Sequence, residues 1–388
     1  MTWLEVDKVD VRKELIYRYL RKEKITDLCR EYQISRKTAY KFIHRFEQYG
    51  LDGLKDSSRR PHHLANQTDG FLERLIIDAK VQYPSWGAKK LKPRLEALYP
   101  SVHFPSISTI SAILSRNGMV RSSPRRLRRS YPPSHLSMSQ KPNDIWCVDF
   151  KGQFQTRDHR YCYPLTITDH YSRFLIACEA LPSPSQDQAF PVFQESFMKH
   201  GLPRVIRSDN GSPFASSSAP YGLTGLAVWF LKVGITLERI DPGHPEQNGR
   251  HERLHRTLKE EALQRVAANL LHQQEIFDEF QRTYNQERPH EAIFQQTPAS
   301  WYHPSEHSYS GEDGECEYPD HTLVKTVDPS GCIALFNDHS VRISKVFSGE
   351  RIGLKDVDHY WLVSFSHYDI GMIRKDTLKF ESMEVLDD

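Results

Sequence analysis

The chain reads as a multidomain protein in three parts: an all-α N-terminal region of two helix-turn-helix patterns, a mixed α/β core, and a small all-β C-terminal domain. Three observations predict this. At 388 residues the chain is too long for one comfortable hydrophobic core. Its apolar periodicity is helical at first, turns to strands mixed with helices from Pro142, and ends in short alternating stretches after Glu317. Its charge is divided in the same way. The formal net charge is +2, yet residues 1–140 hold 27 Lys+Arg against 14 Asp+Glu (+13), which leaves 25 against 36 (−11) for residues 141–388. The expected boundaries are 1–65 and 66–120 for the two helical modules, 121–140 for a basic linker, 141–303 for the core, 304–316 for an acidic linker and 317–388 for a β-barrel-like domain.

Within the first module, Val11–Arg21, Thr26–Tyr32 and Arg36–Gln48 have helical periodicity. Ser35 stands where an N-cap belongs and Gly50 can close the third helix in a left-handed cap. Ala39, Phe42, Ile43 and Phe46 form its apolar face, leaving Arg36, Lys37, Tyr40, Lys41 and Arg45 for solvent or a DNA major groove. The second module spans Phe71–Val81, Trp86–Leu98 and a helix from about Ser108, with Thr109 on its polar side, Ala112 among its apolar positions and Gly118 as its stop. Arg125, Arg126, Arg128 and Arg129 follow among serines and a proline, suited to backbone phosphates. A polycationic block of this kind predicts a polyanionic partner, nucleic acid above all. A solvated basic face on a helical bundle and a solvated linker are the plain alternatives.

Composition narrows the class. Hydrophobic residues at 38% and aromatics at 11% exclude a wholly disordered chain. No apolar run reaches the ~18 residues of a membrane span, so a soluble, cytoplasmic, DNA-associated protein without a membrane partner is expected. The six cysteines contain no CxxC pair, and His62 and His63 have no cysteines at zinc-site spacing, which argues against a zinc module.

The core begins with strands Ile145–Phe150, Tyr161–Thr168 and Phe174–Glu179, followed by a helix over Gln186–Lys199, strands at Arg204–Arg207 and Ile235–Glu238, and helices over Asn248–Ala268 and Gln273–Asn285. Three consecutive strands and then alternating helices and strands is the order of an RNase H-like mixed sheet. After it, Thr322–Val327, Cys332–Phe336, Ser340–Ile343, Tyr360–Phe365 and Ile370–Ile373 read as antiparallel strands.

Three carboxylates stand out by context. Asp149 sits inside the apolar run Ile145–Phe150, where a charge belongs only if it projects to a ligand or partner. Asp209 ends a short strand before Asn210 and Gly211, at the edge where α/β sheets bind ligands. Glu252 lies in the long helix after a turn-rich run containing His244. Such a set suits two hard divalent cations that activate a nucleophile and stabilise a leaving oxygen at a phosphodiester. Asp169 in TDHYSRF reads instead as a β-turn residue, Asp158 as exposed and Asp144 as a cap.

These residues carry a resemblance. Asp149 in WCVDF, Asp209 in RSDNGSPF and Glu252 in DPGHPEQNGRHERLHRTLKEE resemble the signature segments of DDE insertion-sequence transposases, relatives of retroviral integrases. The segment YNQERPHEAI, Tyr284–Ile293, is similar to the one that closes the integrase core in these transposases. The resemblance implies catalysis and metal binding by Asp149, Asp209 and Glu252, with two Mg2+ ions that Mn2+ can replace. It also implies DNA contact at Lys259, which lies seven residues after Glu252 and so within about 20° of its face, with Arg256 beside it. Asn210, His244 and Asn248 are candidates for supporting the site, although turn formation and capping explain them equally well. Salt bridges to Glu260 or Glu261 would equally explain Arg256 and Lys259. Asp209 and Glu252 are separated by 42 residues, longer than is usual in the family, with the extra length assigned to Ser216–Thr224; Glu246, with 36 intervening residues, is the rival.

The function so implied is a transposase that binds the terminal repeats of a mobile element and catalyses metal-dependent cleavage and strand transfer, acting on double-stranded DNA as a homo-oligomer. A catalytically retired, transposase-derived DNA-binding regulator and a metal-dependent nuclease remain the alternatives.

Overall fold

The computed structural model describes residues 7–56, 68–120, 136–216, 222–241, 244–264, 266–312, 314–335 and 339–382. They fall into two compact units, Met1–Thr68 and Asp69–Asp388. No helix among the described residues is long and apolar enough to cross a membrane.

The first unit holds α1 (Lys8–Leu20), α2 (Ile25–Glu31) and α3 (Arg36–Tyr49). Asp7 starts α1 by accepting from Val9 N at 3.0 Å, three residues ahead of the expected start. Ser35 caps α3 through Thr38 N at 3.1 Å, and Gly50 closes it with φ +62°, a conformation that favours glycine. Leu15, Leu28, Cys29 and Ala39 pack together, as do Ile16, Ile43 and Leu54.

The second unit opens with α4 (Gly70–Gln82), α5 (Ala88–Leu98) and α6 (Ile107–Arg116) around Ile76, Leu91, Leu95, Phe104, Ile110 and Ile113. Trp86 does not begin α5. It is buried ahead of it, its ring stacked on Tyr83 at 4.0 Å between centroids. Ser106 rather than Ser108 marks the start of α6, and Ala112 is exposed rather than apolar core.

The central sheet contains β1 (Ile145–Phe150), β2 (Phe154–Gln155), β3 (Tyr161–Asp169), β4 (Leu175–Leu181), β5 (Val205–Ser208) and β6 (Thr236–Arg239). Its order is β4-β3-β1-β5-β6, with β2 pairing near the start of β3. The β4-β3-β1 pairs are antiparallel and the β1-β5-β6 pairs parallel, the mixed pattern expected of an RNase H-like core. On one face lie α7 (Gln186–His200) and α8 (Gly225–Lys232), and on the other α9 (Gly249–Glu261) and α10 (Leu270–Gln286).

α8 is absent from the sequence reading for a physical reason. Leu226, Trp229 and Phe230 bury against the central sheet, while Ala227, Val228 and Leu231 bury against the C-terminal one. A helix apolar all round has no amphipathic period to recognise. α9 is shorter than expected, ending at Glu261 rather than Ala268. Beyond it the carbonyls of Ala267 and Ala268 accept from Arg157 N and Asp158 N at 3.0 and 3.1 Å, pairing the chain with the β2–β3 turn, and Asn269 then caps α10.

The C-terminal part is all β: β7 (Leu323–Thr326), β8 (Cys332–Ala334), β9 (Ser340–Arg342), β10 (Arg351–Val357), β11 (Tyr360–Phe365), β12 (Tyr368–Arg374) and β13 (Phe380–Ser382). β13-β12-β11-β10-β7 is an open antiparallel sheet and β8–β9 a hairpin; among the described residues no pairing of β13 with β7 closes a barrel. The strands β10 and β13 were not anticipated from the sequence. Tyr368 fastens the sheet to β6, its hydroxyl donating to Leu237 O at 2.9 Å and accepting from Leu237 N at 3.1 Å.

Candidate active site

The parallel register places two of the three acids. Ile145, Trp146 and Cys147 of β1 pair with Val205, Ile206 and Arg207 of β5, so the same register carried two residues further sets Asp149 opposite Asp209 at the C-terminal ends of both strands. Alternation decides which face they take. Trp146, Val148 and Ile206 bury toward α7 and α8, whereas Ile145, Cys147 and Val205 cluster on the opposite face. Asp149 and Asp209 share the parity of the second set and look toward α9.

On α9, Leu254 and Leu258 pack on Cys162, Leu175 and Cys178, which turns Glu252, Arg253, Arg256, Lys259 and Glu260 to solvent. Burial, then the negative charge of Asp209 and, more weakly, that of Glu252 push the Asp149 carboxyl up to about 7. Asp149 therefore feels the charges of the other two sequence-predicted acids. Glu246 falls in the short 3-10 turn Pro245–Asn248, ahead of α9.

The supporting residues differ among themselves. Asn210 donates from Nδ2 to Ile240 O at 2.8 Å, tying the end of β5 to the end of β6. Gly211 N donates to Asp209 Oδ1 at 3.1 Å, and a Cβ at Gly211 would lie 3.0 Å from Asp209 Oδ2, so the turn around this carboxylate is close-fitting. His244 is exposed, and its backbone shapes the turn by donating to Asp241 O and accepting from Gln247 N, both at 3.1 Å. Asn248 is buried but makes no side-chain cap, and its Oδ1 has no hydrogen-bond partner among the described residues. Gln247 holds that turn instead, accepting from Asp241 N at 2.8 Å and donating to Asp241 Oδ2 at 2.5 Å.

Beneath Asp149 lies a polar network that the sequence reading missed. Thr166, opposite Asp149 on β3, is fully buried, and its hydroxyl contacts Asp149 O at 3.1 Å, His251 Nε2 at 2.7 Å and His255 Nε2 at 2.8 Å. A carbonyl can only accept, so the hydroxyl donates to it and accepts from both imidazoles, which assigns the proton of each ring to Nε2. His251 Nδ1 then accepts from Thr168 Oγ1 at 3.1 Å. His255 Nδ1 is left with its lone pair toward Asp149 Oδ2, 3.6 Å away. Burial holds both rings far below the usual histidine range, His251 at about 3 and His255 at about 2, so neither supplies positive charge near neutrality. A lone pair facing a carboxylate oxygen is an arrangement that a cation satisfies. Asp149, His251 and His255 also lie close enough to form a candidate metal group. Both nitrogens of His251 are already hydrogen-bonded, however, and hard cations take oxygen, which favours the carboxylates. The spacing of His251 and His255, four residues apart in HERLH, was the available sequence signal.

Asp169 is the turn residue expected, though buried, accepting from Asn143 N at 2.8 Å, Ser172 N at 2.7 Å and Ser172 Oγ at 2.6 Å. Asp144 accepts from Gln140 N and Lys141 N at 2.8 and 3.0 Å. In the N-terminal unit, Arg36, Lys37, Tyr40 and Lys41 are exposed along α3. Arg45 departs from expectation: it is half-buried, and its guanidinium donates to Lys55 O at 2.7 Å, bracing the module instead of facing solvent. Thr109 is half-buried, its hydroxyl 3.0 Å from Ser106 Oγ in the cap of α6. Arg125, Arg126, Arg128 and Arg129 lie outside the described residues. Arg256 has Glu260 Oε1 at 4.0 Å, an exposed pair of little energetic weight. Lys259 is exposed, with no ion pair found for it among the described residues.

Residues 139–245 and 233–298 match models described as integrase core domains, residues 11–62 a helix-turn-helix domain and residues 38–114 a homeodomain-like domain. An uncharacterised 39.2 kDa protein of insertion element IS476 from Xanthomonas euvesicatoria is 24% identical over 253 residues, covering 65% of this chain and 70% of the relative. An uncharacterised 31.7 kDa protein of insertion element IS407 from Burkholderia multivorans is 24% identical over 168 residues, and the chain spans little more than half of it, 57%. The Pol polyprotein of feline endogenous virus ECE1 is 30% identical over 131 residues, 33% of this chain and 12% of that one. Among solved structures, the HTLV-2 integrase catalytic core in complex with magnesium covers 43% of the chain and 100% of its own, with 16% identity and TM-score 0.34.

Proposed function

Because this chain is a polynucleotidyl transferase of the DDE insertion-sequence type within the integrase superfamily, we propose that it cuts and joins the ends of a mobile DNA element. The observation that carries the reading is the in-register pair Asp149 and Asp209, with the charge of Glu252 acting on the first of them.

Asp149, Asp209 and Glu252 would hold two magnesium ions, with manganese able to replace them. Bound there, the ions would supply Lewis-acid polarisation of a phosphodiester and lower the cost of a developing oxyanion. The other roles fall to this chain's own side chains. Thr166, itself held by His251 and His255, anchors the backbone of Asp149, and the two neutral rings keep its surroundings dry. Asn210 and Gly211 fix the turn that carries Asp209. Arg256 and Lys259, on the exposed face of α9 with Glu252, take the substrate phosphates. The helix-turn-helix region reads the terminal repeats, with Arg36, Lys37, Tyr40 and Lys41 toward the groove. Water attacks a phosphodiester at the element end and breaks its P–O3′ bond, leaving a 3′-hydroxyl and a 5′-phosphate, and that hydroxyl then attacks a target phosphodiester in line and displaces the target 3′-oxygen. No protein–DNA covalent bond forms. Joining two ends requires at least a dimer on DNA.

The test is purified protein with labelled element ends and magnesium. Joined products support the reading; cleavage without joining would support a plain nuclease, and binding alone a regulator. Glu252→Ala should abolish joining while Glu246→Ala retains it, and the reverse result would reassign the third acid.

A further inference from the structure

The segment Tyr284–Ile293 carries part of the family resemblance yet contributes no group to the carboxylate cluster. Its charged side chains reach elsewhere. Glu287 accepts from Arg94 Nη2 of α5 at 2.8 Å, from Arg282 Nη1 at 2.6 Å, and from the hydroxyl of Tyr83 at the end of α4. Arg288 donates to Glu261, the last residue of α9, and lies 5.7 Å over the ring of Trp86. Glu261 also accepts from Trp86 Nε1 at 3.2 Å and from Ser85 Oγ. All four charged partners are largely withdrawn from water, with side-chain exposures of 12% for Glu287, 19% for Arg94, 7% for Arg288 and 15% for Glu261.

Withdrawn ion pairs are a poor source of stability, because desolvation offsets most of their attraction. What they provide over an apolar contact is direction, since Glu287 is gripped by Arg94, Arg282 and Tyr83 together and Glu261 by Arg288, Trp86 and Ser85, and such convergent charge-assisted bonds tolerate little sliding or rotation. Glu261 lies nine residues after Glu252 on one helix, about 13.5 Å along its axis. The joint therefore grips the same helix that carries the third acid.

We propose that Arg94–Glu287 and Arg288–Glu261 form a positioning joint that holds the α4–α6 module in one fixed relation to α9, so that duplex DNA bound by that module reaches Asp149, Asp209 and Glu252 in a single register. The proposal rests on the transposase reading above and gives the module a role beyond affinity. Lys90 of α5 supports it. Burial, then the positive charges of Arg288 and, more weakly, Arg256 bring its ammonium down to about 8 while Glu261 and Glu260 oppose the shift, so a basic residue of the module lies beside the exposed face of α9. That is what a phosphate track crossing the junction requires.

The test uses Lys89 and Glu291, an exposed pair at 3.5 Å across the same junction that takes no part in the joint. In full-length protein carrying Lys89→Cys and Glu291→Cys, a short bismaleimide should cross-link the two positions beyond the background of the parent protein, and the linked enzyme should join ends within about twofold of the unlinked rate. Arg94→Ala should lower kcat for joining roughly tenfold or more at little-changed KM, because the module still binds DNA but presents it out of register. Arg94→Lys should recover part of that loss, and the cross-link placed in the Arg94→Ala background should restore it. A folded Arg94→Ala enzyme with undiminished kcat, a cross-link that does not form, or one that abolishes joining would overturn the joint. If the parent protein joins no ends the functional reading fails instead, and the cross-link yield with and without duplex still decides whether the module is fixed.

Discussion

Replacing Thr166 with valine keeps the shape of the side chain and removes one oxygen. That oxygen is fully buried and serves three groups, Asp149 O at 3.1 Å, His251 Nε2 at 2.7 Å and His255 Nε2 at 2.8 Å. The carbonyl of Asp149 sits in the β1–β3 ladder, where it has other bonding opportunities, so its loss is minor. The two imidazole N–H groups have no water to turn to. A buried polar group left without a partner costs about 1–3 kcal/mol, so Thr166→Val should destabilise the chain by about 2–5 kcal/mol. Thr166→Ser keeps the hydroxyl and gives up one methyl, which costs only about 1 kcal/mol. Equilibrium urea denaturation of the full-length protein measures both. A second readout follows from His255, whose ring lies 3.6 Å from Asp149 Oδ2: freed from Thr166, the ring no longer keeps a fixed, dry wall beside the carboxylate, and magnesium affinity should drop about tenfold. A valine variant within about 0.5 kcal/mol of the parent, or a serine variant as unstable as valine, would refute the network.

Three further outcomes can be checked. Asn285→Ala removes two buried bonds to β4, from Leu175 N at 2.8 Å and to Leu175 O at 2.9 Å, and should cost about 2–3 kcal/mol in the same denaturation assay. Glu179 is pushed up to about 7 by burial, then by Asp278 and Glu195, so its contribution to stability is complete below the ordinary value of 4.5 and is lost as pH rises toward 7. Glu179→Gln should therefore be the more stable protein at pH ~8, by about 1–2 kcal/mol after allowance for partial exposure, and should lose that advantage near pH ~4.5; melting at both values reads it, and equal gaps would sink the assignment. Ser35→Ala removes the cap of α3 and should cost about 1 kcal/mol, with weaker terminal-repeat binding in a gel-shift titration and unchanged magnesium affinity.

Local signals made most of this protein legible before any coordinate. Ser35 and Gly50 bound α3, an apolar run with a single acid marks β1, and the order of strands and helices identifies the mixed core, because caps, periods and turns act over a few residues. Asp149 and Asp209 stood out for the same reason, each a charge in a place where local structure alone gives it no purpose, whereas the choice of Glu252 over Glu246 rests on the resemblance of its motif. What escaped depends on neighbours distant in the chain. α8 is buried on two sides and so carries no period. α9 stops early because its continuation pairs with the turn at Arg157 and Asp158. Arg45, a groove candidate by its place on α3, is drawn instead to the carbonyl of Lys55. The contacts of Thr166 with His251 and His255 join residues more than eighty positions apart, and those of Arg94 with Glu287 nearly two hundred. Sequence spacing says which residue types could do chemistry and on which face of a helix they fall. Packing selects which of them meet, because burial turns an ordinary hydroxyl, imidazole or ion pair into one that must find its partner.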